Sequence, residues 1–372
     1  MAVHGLEFTR SAWHRQEARE IIGLTMRRLA TPIFAGAFFV LLVASATGAV
    51  AQGGLSEVVT FDQYTPLAGN LIMAERLLTP LTAAQLRDRL ATAGKGLRDQ
   101  PVDLAQEQFR IYVPGTQPPK GFGVFVFVPP WEENNLPQGW ETAFDAQGVI
   151  FVSATHSGNA ASPLGRRDPL AILAAYNVMQ RFPVDSARVY VGGFSGGSRI
   201  ALRLALGYPD LFHGALLDAG SDPIGGADIP LPPRTVFAQF RVGSRLIYVT
   251  GTRDEYHLVQ QGGSVGSLGH WCVVNVSTQP VSGLGHNLAP PSVVSAVLAS
   301  LGAPVAAPPS QAEQCWSRLT AEVDGELSEA EAKMERGDFG GARSRLDRID
   351  KRYSGLAAPR SVELAQKLKG KS

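Results

Sequence analysis

Between residues 107 and 303 the chain is built from short apolar runs separated by segments with helical spacing. Phe109-Arg110-Ile111-Tyr112-Val113 alternates, whereas Val124 to Val128 and Val149 to Val152 are continuously apolar. Val189 to Val191, Ala215 to Leu217, Leu246 to Val249 and Cys272 to Val274 repeat the second pattern. Uninterrupted runs of this length predict strands buried on both faces, as in a parallel sheet. Between them, Asp168-Pro169 predicts a helix start, with Asp168 as N-cap and proline in the first turn, running through Met179. Ile200, Leu204 and Tyr208 share one face of a second helix, and residues 292–301 predict a third. Strand alternating with helix implies an α/β domain with a mostly parallel sheet and helices on both faces.

The flanks read differently. In residues 52–106, Thr82 and Gln85 form a capping-box pattern behind Pro80, with Leu86 and Leu90 following at helical spacing. Residues 304–310 are a stiff Pro/Ala linker. Residues 311–372 are charged and helical, with one stripe at Trp316, Leu319, Val323 and Leu327. A second stripe runs through Phe339, Ala342, Leu346, Ile349 and Tyr353, after a break at Gly337-Asp338. That is a helical hairpin like a single tetratricopeptide-type unit, which seldom stands alone. Packing on the α/β domain is therefore expected, with a protein partner for 311–372 as the alternative.

The N-terminus carries Met26-Arg27-Arg28, an uncharged run from Leu29 to Val43, and small residues ending Ala49-Val50-Ala51. A positive head, an apolar middle and an A-x-A end predict a secretory signal cut before Gln52, with translation starting at Met26. Residues 1–51 are thus expected to leave the mature protein, which would then keep no stable membrane insertion. The two cysteines, Cys272 and Cys315, allow one disulfide in an exported protein. Such a bridge is worth roughly 4 kcal/mol in the chain-entropy account. The formal net charge of +1 leaves no basic excess for nucleic acid.

Chemistry concentrates around Gly192-Gly193-Phe194-Ser195-Gly196-Gly197-Ser198. The outer glycines have phosphate-loop spacing, but Ser198 stands where the phosphate-reaching lysine must be. The inner residues read G-x-S-x-G between a strand and a helix, which lifts a serine on a sharp turn. Gly262 to Gly266 matches the same pattern. With no strand before it and no helical periodicity after it, that copy is expected to be a flexible loop. A serine hydroxyl needs a base, and the base needs an orienting carboxylate. Asp254 and His286 each follow a predicted strand, in the order Ser…Asp…His, so Ser195, Asp254 and His286 are the candidate catalytic set. Among the rivals, Asp218 and Asp222 are the fallback acids, and Glu255 is the near neighbour of Asp254. His257 is expected as a loop or substrate-side residue, and His270 falls at the opposite sheet edge. His156 and Tyr256 are candidate substrate-binding residues. An oxyanion hole needs two donors. The amide of Gly196 is one, and that of Trp131 is the other, because Pro129 and Pro130 have no N–H.

Residues 184–191, Gly193 to Gly197 and Tyr208-Pro209-Asp210-Leu211-Phe212 resemble an α/β-hydrolase of the secreted polyhydroxybutyrate-depolymerase-like and feruloyl-esterase-like group. The resemblance implies a carboxylic-ester hydrolase that needs neither metal nor cofactor and acts on a small-molecule or polymeric ester. Three features depart from the group. Pro129-Pro130 replaces the usual His-Gly, Gly196 replaces an asparagine, and no extended substrate-binding domain follows. A prolyl-oligopeptidase-type peptidase and a non-catalytic binding protein on the same fold are the alternative readings.

Overall fold

The computed structural model describes residues 54–92 and 99–371. The expected signal sequence lies outside the described residues. Among those described, no helix is long and apolar enough to cross a membrane. The strands are β1 (Leu55–Val59), β2 (Phe109–Val113), β3 (Phe122–Val128), β4 (Val149–Ala154), β5 (Val184–Phe194), β6 (Gly214–Asp218), β7 (Arg245–Gly251) and β8 (Val276–Val281). They form one sheet in the order β1-β2-β4-β3-β5-β6-β7-β8. The pairs β1–β2 and β2–β4 are antiparallel, and every pair from β4 to β8 is parallel.

Side chains alternate across a strand, so each apolar run feeds two cores. Val124, Val126 and Val128 of β3 enter one core, while Phe125 and Phe127 enter the other. The helices α1 (Asn70–Leu77), α2 (Pro80–Thr92), α3 (Glu141–Gln147), α4 (Asp168–Arg181), α5 (Gly196–Gly207), α6 (Arg234–Gly243), α7 (Glu255–His270) and α8 (Pro291–Gly302) cover both faces. Phe144 of α3 and Val294, Val297 and Leu298 of α8 close over the phenylalanine side. Leu170 and Leu173 of α4 with Ile200 and Leu204 of α5 close over the valine side.

Four local expectations are corrected. Helix α2 starts a turn earlier than expected, because Thr79 Oγ1 accepts from the Thr82 amide at 3.4 Å and so caps it. Asp168 caps nothing, since a π-turn over Pro163–Arg167 runs straight into α4. Its carboxylate is buried and faces Arg203 at 3.4 Å instead. The last strand begins at Val276 rather than Cys272, which takes a left-handed turn (φ 64°) out of α7. Finally, Gly262 to Gly266 is not a loop but the middle of α7. Each interior glycine costs a helix about 1 kcal/mol against alanine, so tertiary contacts must hold this one. Ser264 is buried, its Oγ 2.8 Å from the Tyr248 hydroxyl and donating to the Asp222 carbonyl at 2.8 Å.

Beyond α8 follow α9 (Ser310–Glu335), α10 (Phe339–Tyr353) and α11 (Arg360–Lys367). They belong to one compact unit with the sheet. Trp316 packs on Phe237 at 5.8 Å and under the Arg241 guanidinium at 5.2 Å, and Arg241 donates to Glu313 at 2.8 Å. A disulfide joins Cys272, in the turn after α7, to Cys315 on α9. At the other end, Asp350 of α10 accepts from the Leu81 amide at 3.0 Å and the Thr79 hydroxyl at 2.6 Å. A carboxylate from the far end of the chain thus caps α2.

Candidate active site

Ser195 sits between the end of β5 and the start of α5 with φ 54° and ψ −119°. That conformation is strained for a residue with a Cβ. It survives because the surroundings leave no alternative. The Ser195 amide donates to the Asp218 carbonyl at 2.8 Å, and the Ser198 amide donates to the Ser195 carbonyl at 3.1 Å. Gly197 lies so close to the end of β3 that an added Cβ would collide with the Val128 carbonyl oxygen. This contact sets the post-β3 loop beside the serine.

Asp254 and His286 come from the next two strand ends. The Arg253 amide donates to the Leu284 carbonyl at 2.9 Å, and the Gly283 amide to Thr252 Oγ1 at 2.9 Å, so the two loops are stitched together. His286 Nδ1 is 2.7 Å from Asp254 Oδ2, and His286 Nε2 is 3.1 Å from Ser195 Oγ. Burial pushes the Asp254 carboxyl up, but hydrogen bonds from His257 and His286 outweigh it and hold the group below its ordinary value. An ionised carboxylate only accepts, so the Nδ1 facing it carries the proton. His286 Nε2 is then left with its lone pair toward the serine hydroxyl. The order Ser…Asp…His is closed into one hydrogen-bonded chain.

His257 occupies a place the sequence reading missed. It is not a loop residue but lies in the first turn of α7, with its Nδ1 2.7 Å from Asp254 Oδ1. Its ring stacks on His286 with centroids 4.1 Å apart and planes 8° from parallel. Phe194 stacks on His286 at 4.8 Å as well. The base is thus held between two rings and can turn little out of line with Ser195. The signal was present in the spacing, because Asp254 is the N-cap of α7 and His257 is its third residue. Those two positions are neighbours at a helix start.

The other singled-out residues are placed as follows. Gly196 opens α5, where its amide has no carbonyl one turn earlier to bond. The Pro130 carbonyl accepts from the Asn159 amide at 3.0 Å. The trans peptide therefore turns the Trp131 N–H away from Asn159, and that N–H meets no partner among the described residues. The Trp131 ring packs on Phe194 at 6.0 Å. His156 is exposed, its Nδ1 3.6 Å from Glu132, and Tyr256 is exposed and accepts from Gln260 at 3.1 Å. Neither lines the cavity beside Ser195.

Of the fallback acids, Asp218 is buried beneath the site and accepts from the Ala289 amide at 2.9 Å. Burial pushes its carboxyl up to about 8, with the charge of Asp254 adding to the rise. A carboxylic acid mostly protonated at neutral pH cannot orient the imidazolium, and its role is to anchor the His286 loop. Asp222 instead faces Arg199 at 3.3 Å. The donor atoms of Asp254, His257 and His286 also lie within 4.8 Å of one another, close enough for a metal's ligand set. They are turned toward each other, however, with both carboxylate oxygens engaged by imidazoles and His286 Nε2 by the serine. No common vacant point is offered to an ion.

The strand order, the parallel centre of the sheet and the strand–serine–helix junction together define an α/β-hydrolase fold. No protein-family model matches the chain, and no curated protein matches it in sequence. Solved structures similar to it include the fluorophosphonate-binding serine hydrolase F of Staphylococcus aureus, at 11% identity and a TM-score of 0.46. That match covers 67% of this chain and 99% of the other. S-formylglutathione hydrolase of the same organism covers 68% and 99%, at 11% identity and a TM-score of 0.44. A poly(3-hydroxybutyrate) depolymerase from Bordetella parapertussis covers 56% and 88%, at 15% identity and a TM-score of 0.40.

Proposed function

We propose that the chain is a serine hydrolase that cleaves carboxylic esters through an acyl group on Ser195. The observation carrying this reading is the continuous set Asp254–His286–Ser195, with gaps of 2.7 and 3.1 Å on a strained turn. His286 Nε2 takes the Ser195 proton as Oγ attacks the ester carbonyl, and the resulting imidazolium is stabilised by Asp254. The amides of Gly196 and Trp131 receive the developing oxyanion. His286 then returns the proton to the leaving alcohol. In the second half it activates water, which releases the acid and frees Ser195. His257 is a positioning residue: it shares the Asp254 carboxylate and backs the His286 ring. Export to an oxidising compartment belongs to the same reading, supported by the pairing of Cys272 with Cys315.

A fluorophosphonate probe tests the reading. It should label the protein, fail on Ser195→Ala, and be blocked by a turned-over ester. Labelling that persists in Ser195→Ala would overturn it. Asp254→Asn, which removes the tautomer control, should lower kcat by about 10⁴-fold on p-nitrophenyl esters.

A further inference from the structure

A cavity of about 590 Å³ opens beside Ser195 along the axis of α5. Arg167, Arg199 and Arg203 line it, against only Asp222 and Asp228. Arg199 and Arg203 follow Ser195 by four and eight residues, so they stand about 6 and 12 Å further along the helix axis. Neither guanidinium is saturated. Arg199 holds Gln260 at 3.4 Å and Asp222 at 3.3 Å, and Arg203 holds the Asp228 carbonyl at 2.9 Å and Asp168 at 3.4 Å. Arg199 meets Asp222 through its Nε, whereas the Nε of Arg203 is buried without a hydrogen-bond partner. A buried unmatched donor is costly unless something else completes it. The balance of lining charge is one positive.

The side of the serine matters. A leaving alcohol must stay within reach of His286 Nε2, and no residue of the His286 loop lines this cavity. The cavity therefore faces the acyl half of the substrate. Resting on the hydrolase reading above, we infer that it is an acyl subsite for a second carboxylate. In this assignment Arg199 grips the far carboxylate of an ester of a short dicarboxylic acid, with Arg203 behind it. A planar guanidinium fork matches a carboxylate through two parallel bonds, which a hydroxyl or an alkyl end cannot supply. Arg199 stands one helical turn from the nucleophile, which puts short diacids such as glutarate first among those to test. Asp222 opposes this as the resident counter-ion, so its removal should sharpen the preference.

The test compares p-nitrophenyl hemiglutarate with neutral p-nitrophenyl valerate. Wild-type kcat/KM should favour the hemiglutarate by about 10- to 100-fold, the range for one charge-assisted bidentate contact. Arg199→Gln should collapse that ratio, Arg199→Lys should leave it intermediate, and Asp222→Asn should raise it. A wild-type ratio at or below one, or a ratio unmoved in both Arg199 variants, would overturn the assignment. A second arm needs no turnover: calorimetry of Ser195→Ala with monomethyl glutarate. Saturable binding weakened about 10-fold or more by adding Arg199→Gln supports the subsite, and absence of saturable binding rejects it. Failure of the hydrolase reading looks different. Neither ester would be cleaved and no fluorophosphonate label would appear, while the calorimetric arm would still decide the subsite.

Discussion

Gly193 to Gly197 and Gly262 to Gly266 spell the same five-residue pattern, yet the fold uses them in opposite ways. In the first, Ser195 stands at φ 54° on a junction between strand and helix, with its hydroxyl facing His286. In the second, Ser264 lies inside α7, buried and bonded to Tyr248 and Asp222. The glycines differ as well. A Cβ at Gly197 would strike the Val128 carbonyl oxygen, whereas one at Gly262 or Gly266 would meet nothing within 4 Å. The pattern is thus a spelling of small residues. What makes one copy a nucleophile turn is the close approach of a neighbouring strand.

The sharpest way to break this comparison is to mutate both serines. Ser195→Ala should lower kcat by about 10⁵-fold on a p-nitrophenyl ester. Ser264→Ala should keep fluorophosphonate labelling and cost about 1–3 kcal/mol in urea unfolding, because it strands buried polar partners. Equal activity losses in the two variants would erase the distinction. Next in size is Gly197→Ala, expected to cost about 3 kcal/mol or more, since backbone rather than a flexible side chain blocks the added methyl. A folded, labelled Gly197→Ala protein would show that the approach of β3 is dispensable.

Asp218 joins the nucleophile turn to the His286 loop, and its effect depends on pH. Its folded value of about 8 lies above the ordinary 3.8 of an aspartate, so its contribution is full below pH 3.8. That contribution is lost as pH rises toward 8. Asp218→Asn does not titrate. The variant's melting temperature should therefore gain on the wild type by several degrees between pH 5 and 9, and a constant difference would refute the buried neutral acid. The smallest effect belongs to the second pattern: Gly266→Ala should stabilise the chain by about 0.5–1 kcal/mol in urea unfolding. A loss there would mean that the exposed glycine face of α7 is not free.

What could be read before folding follows the same division. The central strands were legible because burial on both faces leaves runs such as Val124 to Val128 with no polar interruption. Ser195, Asp254 and His286 were legible because each follows a strand, which brings them to one edge whatever the loops do. Helix α7 was hidden by its glycines, since its helical state comes from where Ser264 and Leu268 pack and not from local preference. Cys272 and Val273 were apolar for another reason, being buried in a turn beside the disulfide, while Val274 is exposed. His257, and the arginines along α5, depend on which face of a helix meets the site. That is a property of assembly, visible in spacing only once the helix start is known.

The cap that Asp350 places on α2, and the bond from Cys272 to Cys315, also set a schedule. A ribosome delivers the chain from its N-terminal side, and both fastenings wait for helices made after the sheet. Until residues 315 and 350 emerge, the start of α2 lacks its carboxylate and the turn after α7 lacks its tether. Pairings this distant in sequence close late and slowly. The sheet and α2 are therefore made before the segments that fasten them, so both fastenings are late additions to a core already synthesised.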